Sequence, residues 1–180
     1  MADRISIHQG DGQKLSYASD HYDAAFSMFG LIFFPDRIAG FRELCRILKH
    51  GRLAIVSSWA PFEGAFGILM DTVRAHLPGI PFGQGQAPLG KPEDYYREMK
   101  EAGFSEVRVE TIGHVLPAPS VQAFWESVQR TNVAVILARR KIGEEQWAKI
   151  SPGIYQQLQK ELGPGPVTVS ARAHLGIGKK

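Results

Sequence analysis

A chain of 180 residues with 44% apolar and 22% charged side chains has ordinary globular usage and one domain's worth of core, which excludes an intrinsically disordered chain. The net charge of +3 is mild, and the basic clusters Arg139-Arg140-Lys141 and Lys179-Lys180 have no interleaved aromatics, so they read as a solvated helix end and tail rather than a nucleic-acid surface. The single cysteine, Cys45, excludes an intrachain disulfide and suits a reducing cytoplasm; no apolar run approaches the ~20 residues of a membrane span, and Met1-Ala-Asp-Arg lacks the layout of a secretory signal.

Ile5 to Gln9 alternates like a short strand and ends at the turn Gly10-Asp11-Gly12. Tyr22 to Phe29 is mostly apolar and suits a strand covered on both faces. Asp36 is an expected N-cap for a helix whose Ile38, Phe41, Leu44, Cys45 and Leu48 share one face, with Gly51 expected to end it in the left-handed position. Leu53 to Ser57 follows as a second buried strand. Strand, helix, strand with short links is a parallel crossover.

Phe66 to Leu77 has a helical apolar pattern, and the Gly/Pro-rich residues after it read as a loop; the stretch 61–92 is expected to be a lid or substrate-loop insertion, or a plain surface excursion, within one domain spanning 1–180. Pro92 to Ala102 reads as a helix stopped by Gly103, and Glu106 to Glu110 as a strand. Ser120 is placed to cap a helix from Val121 to about Leu137. A further helix spans Glu144 to Leu162, with Pro152-Gly153 as the place where it would break. Val167, Val169, Ala171, Ala173 and Leu175 share one face of a closing strand, which is expected beside the preceding one.

The ordered runs Gly10-Asp11-Gly12-Gln13-Lys14-Leu15, Tyr22-Asp23-Ala24-Ala25-Phe26-Ser27, Phe29 to Asp36, Glu43 to Lys49 and Arg52 to Trp59, then Ala102-Gly103-Phe104 and Phe124-Trp125, resemble the small-molecule, type 11-like group of class I S-adenosylmethionine-dependent methyltransferases. The resemblance covers nearly the whole chain; it rests on the order and spacing of the motifs, none decisive alone. It implies an α/β, Rossmann-like methyltransferase fold, with a mainly parallel sheet and an antiparallel final strand. The family's strand order is 3-2-1-4-5-7-6. Ile5–Gln9 would be the third strand, Tyr22–Phe29 the fourth, Leu53–Ser57 the fifth, Glu106–Thr111 the sixth and Val167–Leu175 the last.

S-adenosylmethionine is the cofactor the resemblance implies. Asp11 would accept a hydrogen bond from the adenine amino group, Gly12, Gln13 and Leu15 would border the adenine, and Ser27, Met28 and Phe29 would lie beside the methionine half. The sequence departs from the family pattern at its start: the first two strands and their glycine-rich turn have no counterpart, so the domain reads as N-terminally truncated. The fourth strand would then have an open edge, which a homodimer is expected to bury.

For the substrate pocket the candidates are Phe33, Trp59, His76 and His114. Trp59 follows the fifth strand and is either a pocket wall or a core aromatic; His76 and His114 neighbour the lid and the sixth strand. No catalytic residue is assigned, since methyl transfer from a sulfonium runs largely on positioning and desolvation. The histidines show no metal-ligand spacing. The expected function is methyl transfer to a small molecule; the alternative is a non-catalytic binding or oligomerisation module.

Overall fold

The structure, a computed structural model, describes residues 5–78 and 87–180. In chain order the elements are β1 (Tyr22–Met28), a 3-10 turn at Leu31–Phe33, α1 (Arg37–Ile47), β2 (Leu48–Trp59), α2 (Gly64–His76), α3 (Pro92–Glu101), β3 (Glu106–Ala118), α4 (Val121–Thr131), α5 (Val133–Ile142), α6 (Glu144–Leu162) and β4 (Val167–Lys179). They form two compact units. The first comprises Met1–Ala60, Ala87–Ile112 and Ala173–Lys180; the second comprises Pro61–Gln86 and Gly113–Arg172. Residues 79–86 of the expected lid loop lie outside the described residues.

The four strands take the order β1-β2-β4-β3. β1 and β2 are parallel with α1 between them, and β4 runs antiparallel to β2, pairing Leu53 with Lys179 through Trp59 with Ala173. This is the α/β arrangement expected of the fourth, fifth, last and sixth strands. The sheet is mixed, with β1 and β2 its parallel pair.

Ile5–Gln9 forms no strand, a correction to the sequence reading. Ile5 is 74% and Ile7 92% exposed, and β1 is the end strand of the sheet. Alternation supplies a face but no hydrogen-bonding partner, and a strand needs both.

In the first unit the core sits on the inner face of the sheet: Ala25, Ala54 and Val56 pack with Phe41, Leu48, Tyr95, Met99 and Phe104. Asp36 caps α1 as expected, accepting from the Ala39 amide at 2.9 Å. The helix ends earlier than expected, at Ile47, because Leu48 is already buried opposite Tyr22 in the sheet. The pairing then slips: Tyr22 faces Leu48 and Ala24 faces Leu53. Gly51, with φ +74°, lies in this bulge rather than at the helix end. Only the left-handed backbone was foreseen.

α3 starts at Pro92, carries Glu93 and Asp94 in its first turn and stops at Gly103, whose φ is +104°. It buries Tyr95 and Met99, together with Glu98. The Glu98 carboxylate accepts two hydrogen bonds from Arg37, at 3.0 and 2.8 Å, which fasten α3 to the start of α1. His174 is buried in the same unit. The Gly90 carbonyl at 3.2 Å can only accept, so Nε2 carries the proton and Nδ1 accepts from the Thr111 hydroxyl at 2.8 Å.

The second unit packs α2, α4, α5 and α6 around Leu69, Val73, Phe124, Trp125, Val128, Trp147, Ile154 and Leu158. The helix expected from Val121 to Leu137 is divided at Asn132, whose side chain accepts from the Val135 amide at 3.1 Å and caps a new helix. α6 stays continuous through Pro152, anchored beyond it by buried Ile154 and Leu158. Among the described residues no helix is long and apolar enough to cross a membrane.

Candidate functional site

Ligands of open α/β sheets bind beyond the carboxyl ends of the strands, and β1 ends there in an unusual way. Phe29, directly after Met28, has φ +54°. A bulky residue in that left-handed region costs on the order of 1–3 kcal/mol and persists only where its surroundings hold it. Two contacts hold Phe29. Its amide donates to the buried Ser57 hydroxyl at 3.0 Å, and its ring stacks on Trp59 with centroids 4.4 Å apart and planes 26° from parallel. Two residues before Phe29, the Ser27 hydroxyl accepts from the Leu31 amide at 3.2 Å and steadies the 3-10 turn.

Beside β1 lies an open cleft of about 320 Å³, lined among others by Gly12, Leu15, Tyr17, Ala24, Ser27 and Phe34. The Phe34 ring sits between two glycines: a Cβ on Gly12 or Gly40 would collide with it. Among the described residues no charged side chain lines the cleft.

The polar residues around it form two braces. Asp11 Oδ1 accepts from the Gln13 amide at 2.9 Å and its side-chain amide at 3.3 Å, while Gln13 Oε1 accepts from the Asp36 amide at 2.8 Å. Gln13 therefore ties the Asp11 turn to the start of α1. The second brace was not foreseen as a functional feature. Glu43 accepts from the Leu15 amide at 2.7 Å and pairs with Arg46, and Arg46 donates to the carbonyls of Leu15 and Tyr17. The i,i+3 spacing of Glu43 and Arg46 was the available signal for the pair; nothing in the sequence marked the loop they hold.

Glu43 gives the brace a pH dependence. The Arg46 guanidinium, with help from the Leu15 amide, holds its carboxyl below the ordinary value of 4.5. A depressed carboxylate stabilises the fold above its unfolded value and loses that contribution as pH falls through the folded one. Hydrogen-exchange protection of the Leu15 amide is therefore expected to drop on acidification below about 4.5. Glu43→Gln is expected to lose most of that protection at neutral pH; an unchanged protection factor would show that the brace is unimportant.

Of the cofactor candidates, Gly12, Leu15 and Ser27 line the cleft. Asp11 is exposed on the turn beside it, and Met28 is exposed at the end of β1. Among the substrate candidates, Phe33 is exposed and Trp59 keeps 38% exposure beyond its stack with Phe29. His76 and His114 belong to the second unit. His76 Nδ1 donates to the Thr72 carbonyl at 3.0 Å and its ring packs by Gly153 of α6; His114 is exposed on β3. Ser57, which fixes Phe29, carried no sequence signal beyond lying in a strand. Among the described residues no group of three or more His, Cys, Asp or Glu side chains could hold a metal ion.

The cleft can be tested against the adenosyl cofactor. Its apolar walls and size suit a planar heterocycle, and Asp11 Oδ2, which makes no hydrogen bond among the described residues, could accept from an exocyclic amine. Among the described residues of the lining there is no charged side chain for a ribose diol or an amino-acid end. The residues present fit the adenine half.

The sheet order and the crossover define the class as a methyltransferase-type α/β fold. A family profile described as a methyltransferase domain matches residues 1–56. The demethylmenaquinone methyltransferase of Beutenbergia cavernae is 32% identical over 152 residues, covering 78% of this chain and 58% of that protein. The methyltransferase tpcH of Aspergillus fumigatus is 30% identical over 182 residues, covering 94% of this chain and 63% of its own. A solved SAM-dependent methyltransferase of Thermotoga maritima shares the fold, with a TM-score of 0.50 at 17% identity over 98% of this chain and 65% of that one. The chain is a methyltransferase-like member of the class I S-adenosylmethionine-dependent family. It spans between 27% and 63% of the length of these and other curated relatives.

Proposed function

We propose that the chain takes part in S-adenosylmethionine-dependent methyl transfer to a small molecule with an apolar body. The observation that carries this reading is the apolar cleft along β1, bordered by Gly12, Leu15 and Ser27, with the Asp11 turn beside it. In that role Asp11 accepts from the adenine amino group, and Gly12 and Leu15 cover the ring. When bound, the cofactor supplies an electrophilic methyl group whose transfer is an in-line displacement. Phe29 and Trp59 exclude water on the acceptor side, which strengthens every polar contact at the reacting centre. A buried Cys45, whose thiol burial pushes upward, fits a packed side chain in a cytoplasmic protein.

Calorimetry with S-adenosylhomocysteine tests the reading. Binding is expected, and Asp11→Ala is expected to weaken it about tenfold by removing a charge-assisted hydrogen bond. No heat of binding at millimolar ligand refutes the reading. The same samples serve for the assembly. We infer a homodimer, because β1 is the end strand and leaves Phe26 and Met28 62% and 57% exposed. Light scattering is expected to give twice the 19.9 kDa chain mass; a monomeric mass at micromolar concentration removes that proposal.

A further inference from the structure

We propose that Trp59 is a stacking platform for the acceptor, and that the acceptor it takes is a flat, uncharged aromatic molecule. The inference rests on the methyl-transfer reading only in calling that ligand an acceptor; the binding itself does not depend on it. Three observations carry it. The Trp59 ring already lies near-parallel to a flat partner, Phe29, at the end of two parallel strands. The Phe29 backbone is kept in a strained left-handed conformation by the Ser57 hydroxyl, and that geometry places its ring in the stack. The residues at these strand ends, Met28, Phe29, Ser57, Ser58 and Trp59, carry no charge, so nothing there would pay the desolvation of an ionic ligand.

Stacked aromatic rings favour offset, near-parallel partners. A planar ligand can extend the Phe29–Trp59 stack, whereas a puckered alicyclic of similar size gains only apolar contact. A cationic ligand would meet the ring faces but no counter-charge.

The test reads the indole N–H signals in a nitrogen-15 correlation spectrum. The chain has three tryptophans; Trp125 and Trp147 are buried in the second unit at 4% exposure, and Trp59→Phe identifies the third signal by its loss. Titration with 2-naphthol is expected to shift the Trp59 signal to saturation while those of Trp125 and Trp147 stay in place. Cyclohexylmethanol at equal concentration is expected to shift it far less. Trp59→Leu is expected to weaken 2-naphthol binding about tenfold, and Trp59→Phe only slightly; amide shifts across β1 and α3 report whether the variants keep the fold. Equal shifts from the alicyclic, no shift from 2-naphthol, or unchanged affinity in Trp59→Leu each overturn the proposal. If S-adenosylhomocysteine fails to bind while 2-naphthol still shifts Trp59, the methyl-transfer reading falls and the platform stands; the reverse result removes the platform alone.

Discussion

Glu98→Gln is expected to lower the unfolding free energy of the first unit by about 3 kcal/mol, the cost of breaking a buried ion pair on one side. Glu98 is 3% exposed and receives one hydrogen bond from Arg37 on each carboxylate oxygen, with Arg97 approaching Oε1 at 3.3 Å. The substitution keeps the shape of the side chain. It removes the charge and turns one of the two acceptors into a donor facing a guanidinium that can only donate. Arg37 itself keeps 29% side-chain exposure, so part of its lost solvation can be recovered from water. That places the effect at the lower end of the range for such pairs. Urea denaturation with hydrogen exchange along α3 measures it. Replacing both partners by methionine is expected to recover most of the loss, because the double variant leaves no buried charge without a partner. A loss below about 1 kcal/mol in Glu98→Gln would mean that the pair behaves as a surface contact.

Much of the frame was legible because its signals are local. Asp36, Ser120, Pro92 and Gly103 mark helix ends through side chains and backbone freedom acting within one turn, and each stands where it was expected. The errors have a different origin. Ile5–Gln9 has the right alternation, but strand formation depends on a neighbour that no local pattern encodes. Gly51 is left-handed as its sequence context implies, yet whether it closes a helix or forms a bulge was decided by Leu48 finding Tyr22 across the sheet. Asn132 could cap as well as sit inside a helix, and packing chose the cap.

The site follows the same division. Asp11, Gly12, Leu15 and Ser27 were placed by motif order, and three of them line one cleft. What holds them was hidden. Glu43 reaches Leu15 across 28 residues, Arg46 reaches Tyr17 across 29, and Ser57 reaches Phe29 across 28. Such partnerships exist only once α1 and β2 have been laid against the turn.

Gly176→Ala presents the same lesson as a measurable quantity, with an expected loss of about 2 kcal/mol for overpacking a core. Gly176 lies in β4 opposite Val56, and its φ is not in the left-handed region. Alanine therefore suits the backbone, and by limiting the unfolded chain it would add about 0.5 kcal/mol of stability in open surroundings. The surroundings are closed. A Cβ at this position would collide with the Tyr95 ring, and one at Gly178 would meet Met99 Cε at 2.5 Å and Phe104 Cδ1 at 2.7 Å. Tyr95 has little room to retreat, since it is fully buried and its hydroxyl donates to the His174 carbonyl at 3.3 Å. Burial pushes that hydroxyl's pKa far upward, so it remains a donor throughout the accessible pH range. The steric origin can be isolated with Tyr95→Leu, which removes the ring that the new methyl strikes. In that background Gly176→Ala is expected to cost under about 0.5 kcal/mol, leaving a coupling of about 1.5 kcal/mol between the two positions. Additive losses would instead place the cost in the strand backbone, and a stabilising Gly176→Ala would mean that α3 can lift from β4 without penalty.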